Sequence, residues 1–319
     1  MSTNALAFLF PGQGSQLVGM GRDLHDRFPA ARAVFEQADE ALGFSLSSLC
    51  FEGPEEQLRL TAFTQPAIVT VSIAAERVLR ERGIAPAVVA GHSLGEYAAL
   101  VSAGVLPFAD AVRAVHARGT YMQEAVPAGE GAMAAVLGLD AAAVAEACQQ
   151  AARETGQVVS PANANAPAQI VISGTVAAVV RAGVLAKETG AKRVVMLPVS
   201  APFHCALMQP AQDRLAPLLA ELHFENARVP VIPNTLAAAE SAGPALREAL
   251  VRQVTGTVRW TESMQILRDA FAPAYWIEVG PGKVLSGLLR QIDRAQSALN
   301  VEDSGSLDQT IAALSAPPS

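Results

Sequence analysis

Ser93 has a glycine two residues before it and another two residues after it, in Gly91-His92-Ser93-Leu94-Gly95. A serine hydroxyl is a weak nucleophile until a base takes its proton, and it must stand clear of its own chain to reach an acyl carbon. The G-x-S-x-G spacing answers the second need with a sharp strand-to-helix corner that holds the serine in a strained backbone conformation. Chain then passes so close that a Cβ at Gly91 or Gly95 would clash. Val88-Val89-Ala90 supplies the buried strand before the corner, and a helix opens at Glu96 after it. The Leu94 N–H thereby lies at a helix N-terminus, where it faces a developing oxyanion. A tight βα turn with a capping serine carries the same letters, so the rest of the chain must supply the partners.

One candidate base is His204, in the proline-bearing connection Pro202-Phe203-His204. Its ordinary pKa suits it to take and return a proton near neutrality, although a lone histidine is more often structural. Arg118, on a helix with Arg113 and His116, reads by itself as a solvated or paired surface residue.

Bulk properties narrow the class. The chain has 319 residues, 51% of them hydrophobic and 17% charged, as expected of a globular enzyme with about two domains or one large insertion. A net charge of −7 argues against nucleic-acid binding. Cys50, Cys148 and Cys205 are odd in number and widely spaced, which suits neither a disulfide framework nor a zinc site. The five histidines lack ligand spacing, so no metal is expected. The N-terminus has no basic segment, and Pro11-Gly12 breaks its apolar run. It reads as neither a secretion signal nor a membrane span, and the expected setting is a reducing cytoplasm.

The elements that must position these residues follow from patterning. Ala5–Phe10 suits a buried parallel strand, and Pro11–Gln16 an ordinary βα loop without the lysine and spacing of a phosphate-binding loop. Helices are expected over Gly19–Phe28, Ala30–Leu42, Pro54–Leu60, Pro66–Gly83 (with Ile68, Val71, Ala75, Val78 and Leu79 on one face) and Pro107–Val126. From Gly129 the pattern changes to strand, alanine-rich helix, two strands, helix and strand. That order is the ferredoxin-like βαββαβ unit. After it come helices at Pro210–Leu222, Pro244–Gln253, Trp260–Phe271 and Val284–Ile292, with strands at Val229–Asn234 and Ala274–Val279. The tail from Ala295 is expected to be partly disordered.

Five motifs in order make a more specific pattern than any one of them. They are Phe10-Pro11-Gly12-Gln13-Gly14-Ser15-Gln16, Gly91-His92-Ser93-Leu94-Gly95-Glu96, Arg118-Gly119 with Met122-Gln123, Pro202-Phe203-His204, and Val279-Gly280-Pro281-Gly282. Together, from about Phe8 to Ile292, they resemble the malonyl-CoA:acyl carrier protein transacylases, within the acyltransferase family of fatty acid and polyketide synthesis. The fold class expected is α/β. A large α/β-hydrolase-like domain with a parallel sheet (1–128 and 199–319) carries an inserted small ferredoxin-like βαββαβ domain (129–198).

The resemblance implies a role for each matching position. Ser93 is the acyl-accepting nucleophile and His204 the base, its imidazole oriented by the main-chain carbonyl of Gln253 rather than by an aspartate. The N–H groups of Gln13 and Leu94 form the oxyanion hole. Arg118 holds the malonyl carboxylate, and Phe203 fills the space an α-methyl branch would need. Malonyl-CoA is implied as substrate with no bound cofactor, and the phosphopantetheine of a holo-acyl carrier protein as acceptor. A monomer is expected, without membrane or nucleic-acid partners. An acidic carrier needs a local basic patch, for which Lys187, Lys192, Arg193, Lys283, Arg290 and Arg294 are candidates beside the plain reading of solvated charge. Alternatives at this stage are loading of a polyketide or malonate decarboxylase carrier, a serine hydrolase or esterase, and an inactive interaction domain. A hydrolase would be expected to show an HGGG-type loop and the order Ser…Asp/Glu…His, and has no use for Arg118.

Overall fold

Short apolar runs and helical stretches follow one another along the chain, and the computed structural model shows what they build over the described residues, 5–199 and 201–315. The first four residues of the N-terminus read above as lacking a signal, and the last four of the tail, lie outside the described residues. Strand β1 (Leu6–Phe10) leads into helices α1 (Arg22–Arg27), α2 (Pro29–Leu42), α3 (Leu46–Glu52), α4 (Glu55–Leu58) and α5 (Thr61–Glu81). Strand β2 (Val88–Gly91) then feeds α6 (Gly95–Ser102), followed by α7 (Phe108–Glu124). Next come β3 (Gly131–Leu137), α8 (Ala141–Thr155), β4 (Val159–Ala166), β5 (Gln169–Thr175), α9 (Val176–Glu188) and β6 (Arg193–Met196). The chain closes with α10 (Gln209–Glu221), β7 (Val231–Ile232), α11 (Gly243–Gln253), α12 (Trp260–Phe271), β8 (Tyr275–Val279), α13 (Val284–Ile292), β9 (Ala298–Val301) and α14 (Ser304–Ser315).

Two sheets result. The first is five-stranded and parallel, in the order β7-β2-β1-β8-β9. Its central strand β1 and the neighbouring β2 are buried along Phe8–Phe10 and Val88–Ala90, as covered parallel strands must be. The second is four-stranded and antiparallel, in the order β4-β5-β3-β6. This is the ferredoxin-like arrangement, and α8 and α9 close over it around Ala134, Val136, Ile170, Ile172 and Val179. Because that apolar cluster is separate from the main core, we propose that residues 129–198 are an inserted unit. Strand β4 of the second sheet is tied by main chain to the connection before α12: Ala164 N–H donates to Val258 O at 2.9 Å and Val258 N–H to Ala162 O at 2.8 Å.

Several expectations are corrected. The tail from Ala295 is ordered through Ser315: β9 extends the parallel sheet beside β8, and Val301 and Leu307 are fully buried. Helix α3 was not anticipated. Helix α1 is shorter than Gly19–Phe28, because positive-φ Gly19 and Gly21 turn the chain before it. Helix α5 starts five residues before Pro66 and is buried on all sides rather than along one stripe. Pro66 has no N–H to give the Ala62 carbonyl four residues back. The ring of His116 on α7 takes that acceptor at 2.8 Å, so the helix continues through the proline.

A Cβ on Gly95 would overlap the Phe10 carbonyl, whereas one on exposed Gly287 within α13 meets nothing. Gly95→Ala is therefore expected to cost at least about 3 kcal/mol or prevent folding. Gly287→Ala should gain about 0.5–1 kcal/mol. Denaturant unfolding of both variants checks the pair.

Candidate active site

Strands β1, β2 and β7 lie side by side in the parallel sheet, and the site gathers at their carboxyl ends, where open α/β sheets expose loops to a ligand. Phe10 pairs with Gly91 at the last rung. Beyond it β2 turns sharply into α6, and Ser93 sits at the corner with φ 51°. The corner exists because Gly91 and Gly95 lack side chains: a Cβ on either would overlap backbone, of Gly95 and of Phe10 respectively. Gly12 does the same for the neighbouring loop, since a Cβ there would lie 2.6 Å from the His92 carbonyl. That approach brings Gln13 beside the corner. Asn234, just past β7, pins it from the other side. Its Oδ1 accepts from Ser93 N–H at 2.6 Å and its Nδ2 donates to Gly91 O at 2.7 Å.

His204 meets the serine. Its Nε2 is 2.8 Å from Ser93 Oγ, and its Nδ1 is 2.9 Å from the Gln253 carbonyl. A carbonyl only accepts, so the Nδ1 proton points at it. Nε2 is left unprotonated to receive the serine's proton. Gln253 ends α11, where the last carbonyls of a helix lack an intrahelical donor, so this acceptor is free for the ring. His204 itself has φ 59°, a second non-glycine residue in the left-handed region. Burial lowers its pKa to about 3, with the nearby Arg118 charge pushing the same way and the Gln253 hydrogen bond opposing. The ring is therefore neutral at physiological pH.

Arg118 is buried to 1% exposure, which corrects its reading as a surface residue. Helix α7 is held close to α5 at this point because the next residue is glycine: a Cβ on Gly119 would lie 2.5 Å from the Thr61 carbonyl. The guanidinium donates from Nη1 to Gln65 Oε1 at 2.8 Å, and from Nη2 to Gln253 Oε1 at 2.8 Å and to Ser93 Oγ at 3.2 Å. All three acceptors are neutral, and among the described residues its buried Nε has none. Burial presses its pKa downward, and Tyr97 and Glu96 offset this.

A cavity of about 170 Å³ opens over Ser93, His204 and Arg118, and Gln13, Leu94 and Phe203 also line it. Among the described residues, the N–H groups of Gln13 and Leu94 donate to no acceptor. They are two idle donors at the mouth of the corner. His92 and Asn165, from the two sheets, meet across the cavity at 2.8 Å. The structure thus brings together every site residue read from the sequence. It adds Gln65, Glu96 and Asn234, which sequence reasoning missed. Only Glu96, inside the quoted corner motif, had a signal that could have drawn attention to it.

The basic candidates lie elsewhere. Arg290 and Arg294 border a cleft beside the β4–β5 turn. Lys283 pairs with Glu302 at 3.8 Å, Lys187 caps the Lys192 carbonyl at 3.1 Å, and Arg193 begins the exposed edge strand β6. Among the described residues no group of three or more acidic, histidine or cysteine side chains is placed to hold a metal, and no helix is long and apolar enough to cross a membrane.

Comparison with known proteins accords with this geometry. The family model for the acyl transferase domain matches residues 7–308. The malonyl CoA-acyl carrier protein transacylase of Escherichia coli K12 is 53% identical over 297 residues, 92% of this chain and 95% of that protein. The acyl carrier protein S-malonyltransferase of Vibrio cholerae superposes with a TM-score of 0.92 at 50% identity, covering 96% of this chain and 99% of that one. A malonyl-transacylase solved in complex with a type II PKS acyl-carrier protein superposes at 0.93 with 46% identity, covering 97% and 99%.

An ordinary histidine is half protonated near pH 6.5, whereas His204 is held far below that. Labelling of the serine by a fluorophosphonate should therefore keep its rate as pH falls from 7 to about 5, because the base stays unprotonated. A half-loss of rate near pH 6.5 contradicts the depressed pKa.

Proposed function

From the chain's membership of the acyl transferase domain family, we propose that it moves the malonyl group from malonyl-CoA to the phosphopantetheine thiol of an acyl carrier protein, through a malonyl ester on Ser93, in fatty acid synthesis. Ser93 Oγ attacks the thioester carbonyl while its proton passes to His204 Nε2. The carbonyl oxygen, now negative, is received by the N–H groups of Gln13 and Leu94. One such fixed donor is worth about 3–4 kcal/mol of barrier. The carbon–sulfur bond breaks and CoA leaves with the proton from His204. In the second half the carrier thiol gives its proton to His204, sulfur attacks the ester, and Ser93 recovers a proton as it leaves. The reaction as written uses no cofactor.

The observation that carries this reading is the convergence of two groups on one oxygen. Ser93 Oγ lies 2.8 Å from a neutral imidazole nitrogen and 3.2 Å from a buried guanidinium. A planar two-pronged cation matches a carboxylate, and an acetyl group would leave Arg118 buried without that partner. The arriving carboxylate also offsets the Arg118 charge that depresses His204, so the imidazolium formed during attack costs less. Phe203, on the cavity wall, occupies room that a branched acyl group needs. A hydrolase would admit water to the ester. The placing of Ser93 in a cavity lined also by Met133, Val171, Leu197 and Phe203, apolar side chains that disfavour water, supports transfer instead.

Three free, buried cysteines and a CoA thioester substrate support a cytoplasmic setting. Arg290 and Arg294 supply positive charge for an acidic carrier. A type II polyketide carrier is the second reading, favoured by the 46% identical transacylase solved with such a carrier.

Mass spectrometry of the protein mixed with malonyl-CoA should find a malonyl adduct on Ser93 that disappears when holo-carrier is added. Ser93→Ala should show no adduct, and an unchanged adduct there would place the nucleophile elsewhere. Arg118→Ala should lower kcat/KM for malonyl transfer by about 100-fold, or about 3 kcal/mol, while sparing acetyl transfer. Equal losses for both acyl groups would remove Arg118 from selectivity.

A further inference from the structure

Beneath the corner lies a carboxylate that the chemistry above does not use. Glu96, in the first turn of α6, is 1% exposed. Its Oε2 accepts from Gln253 Nε2 at 2.8 Å and from Asn234 N–H at 2.9 Å. The same Gln253 Nε2 donates to Ser93 O at 2.9 Å, and Gln253 Oε1 accepts from Arg118 at 2.8 Å. An amide has a donor end and an acceptor end, and either can be turned to a given side. Here Arg118 offers only donors, the Ser93 carbonyl can only accept, and Glu96 Oε2 is fixed as an acceptor by the main-chain N–H of Asn234, even though burial raises the Glu96 pKa to about 7, so one orientation satisfies all three. The Gln253 main chain meanwhile holds His204.

We propose that Glu96 is a positioning residue: acting through the side-chain amide of Gln253, it turns Oε1 toward Arg118 and so sets the guanidinium where it selects a carboxylate-bearing acyl group. The inference rests on the proposed malonyl transfer. Without an acceptor at position 96, the donor end of Gln253 keeps only the Ser93 carbonyl, and its amide is free to turn. A turned amide presents N–H groups to a guanidinium whose Nε already has no acceptor among the described residues, and Arg118 must shift. Buried donors left facing one another are costly enough to force that rearrangement. An acetyl group has no carboxylate for Arg118 to hold, so its transfer rests on Ser93, His204 and the N–H groups of Gln13 and Leu94. Asn234, held by the same oxygen, links the corner to the arrangement, which is why a loss of overall rate by itself would not identify the role. The ratio of malonyl to acetyl transfer does identify it.

The test compares kcat/KM for malonyl-CoA and acetyl-CoA, with holo-carrier as acceptor, in the wild type and three variants, with folding followed by circular dichroism. Glu96→Met removes the acceptor at similar volume and should lower the malonyl-to-acetyl ratio at least tenfold. Glu96→Gln can turn its amide oxygen to both N–H donors and should keep the ratio within about threefold. Gln253→Met keeps the main-chain carbonyl for His204 but removes the amide, and should reproduce the loss seen in Glu96→Met; it carries the test if the latter does not fold. An unchanged ratio in a folded Glu96→Met or Gln253→Met protein, or loss of the ratio in Glu96→Gln, overturns the proposal. Failure of the wild type to transfer malonyl at all refutes instead the reading on which it rests.

Discussion

A charged guanidinium buried among neutral oxygens is the constraint that organises this molecule. Moving an ion out of water costs several kcal/mol even after the surroundings relax. Arg118 recovers part of that from the side chains of Gln65, Gln253 and Ser93. None of them neutralises it. The position is therefore stable enough to persist and polarised enough to favour an incoming carboxylate. Everything near it serves that balance. Gly119 lets α7 approach α5 so that Arg118 and Gln65 meet, and α11 ends at the residue whose two ends touch both Arg118 and His204.

The same balance gives a physical reason for orienting the imidazole with a main-chain carbonyl. A carboxylate at that place would add a negative charge beside Arg118 and compete with the substrate for it. A carbonyl fixes the tautomer and leaves the guanidinium's field in place. The cost is a base of very low pKa, since burial and the arginine both disfavour imidazolium. A substrate anion seated against Arg118 relieves the second of these at the moment the proton is transferred. Selectivity and proton transfer are in this way governed by one charge.

Much of this was legible in the letters. The Gly91–Gly95 corner follows from sterics that depend on nothing distant: two missing Cβ atoms and a strand-to-helix turn. The βαββαβ order followed from alternating periodicity, and the observed strand order agrees with it. What periodicity could not reveal was environment. Arg118 has the same local surroundings as a solvated helix residue, and only the packing of α7 on α5 buries it. Asn234 and Glu96 act across 141 and 157 residues of chain, on Ser93 and Gln253 respectively, and no local pattern marks such partners. The tail looked partly disordered because its polar, small-residue composition hides two buried apolar side chains, Val301 and Leu307. These gain their place only once β8 offers an edge.

The most direct test is a crystal structure of the protein with a malonyl group, or a non-hydrolysable malonyl mimic, attached to Ser93 Oγ. The two oxygens of the terminal carboxylate should lie within hydrogen-bond distance of Arg118, with the acyl oxygen between the N–H groups of Gln13 and Leu94. A carboxylate pointing to solvent, with Arg118 still bound to Gln65 and Gln253 as in the free protein, would contradict the account.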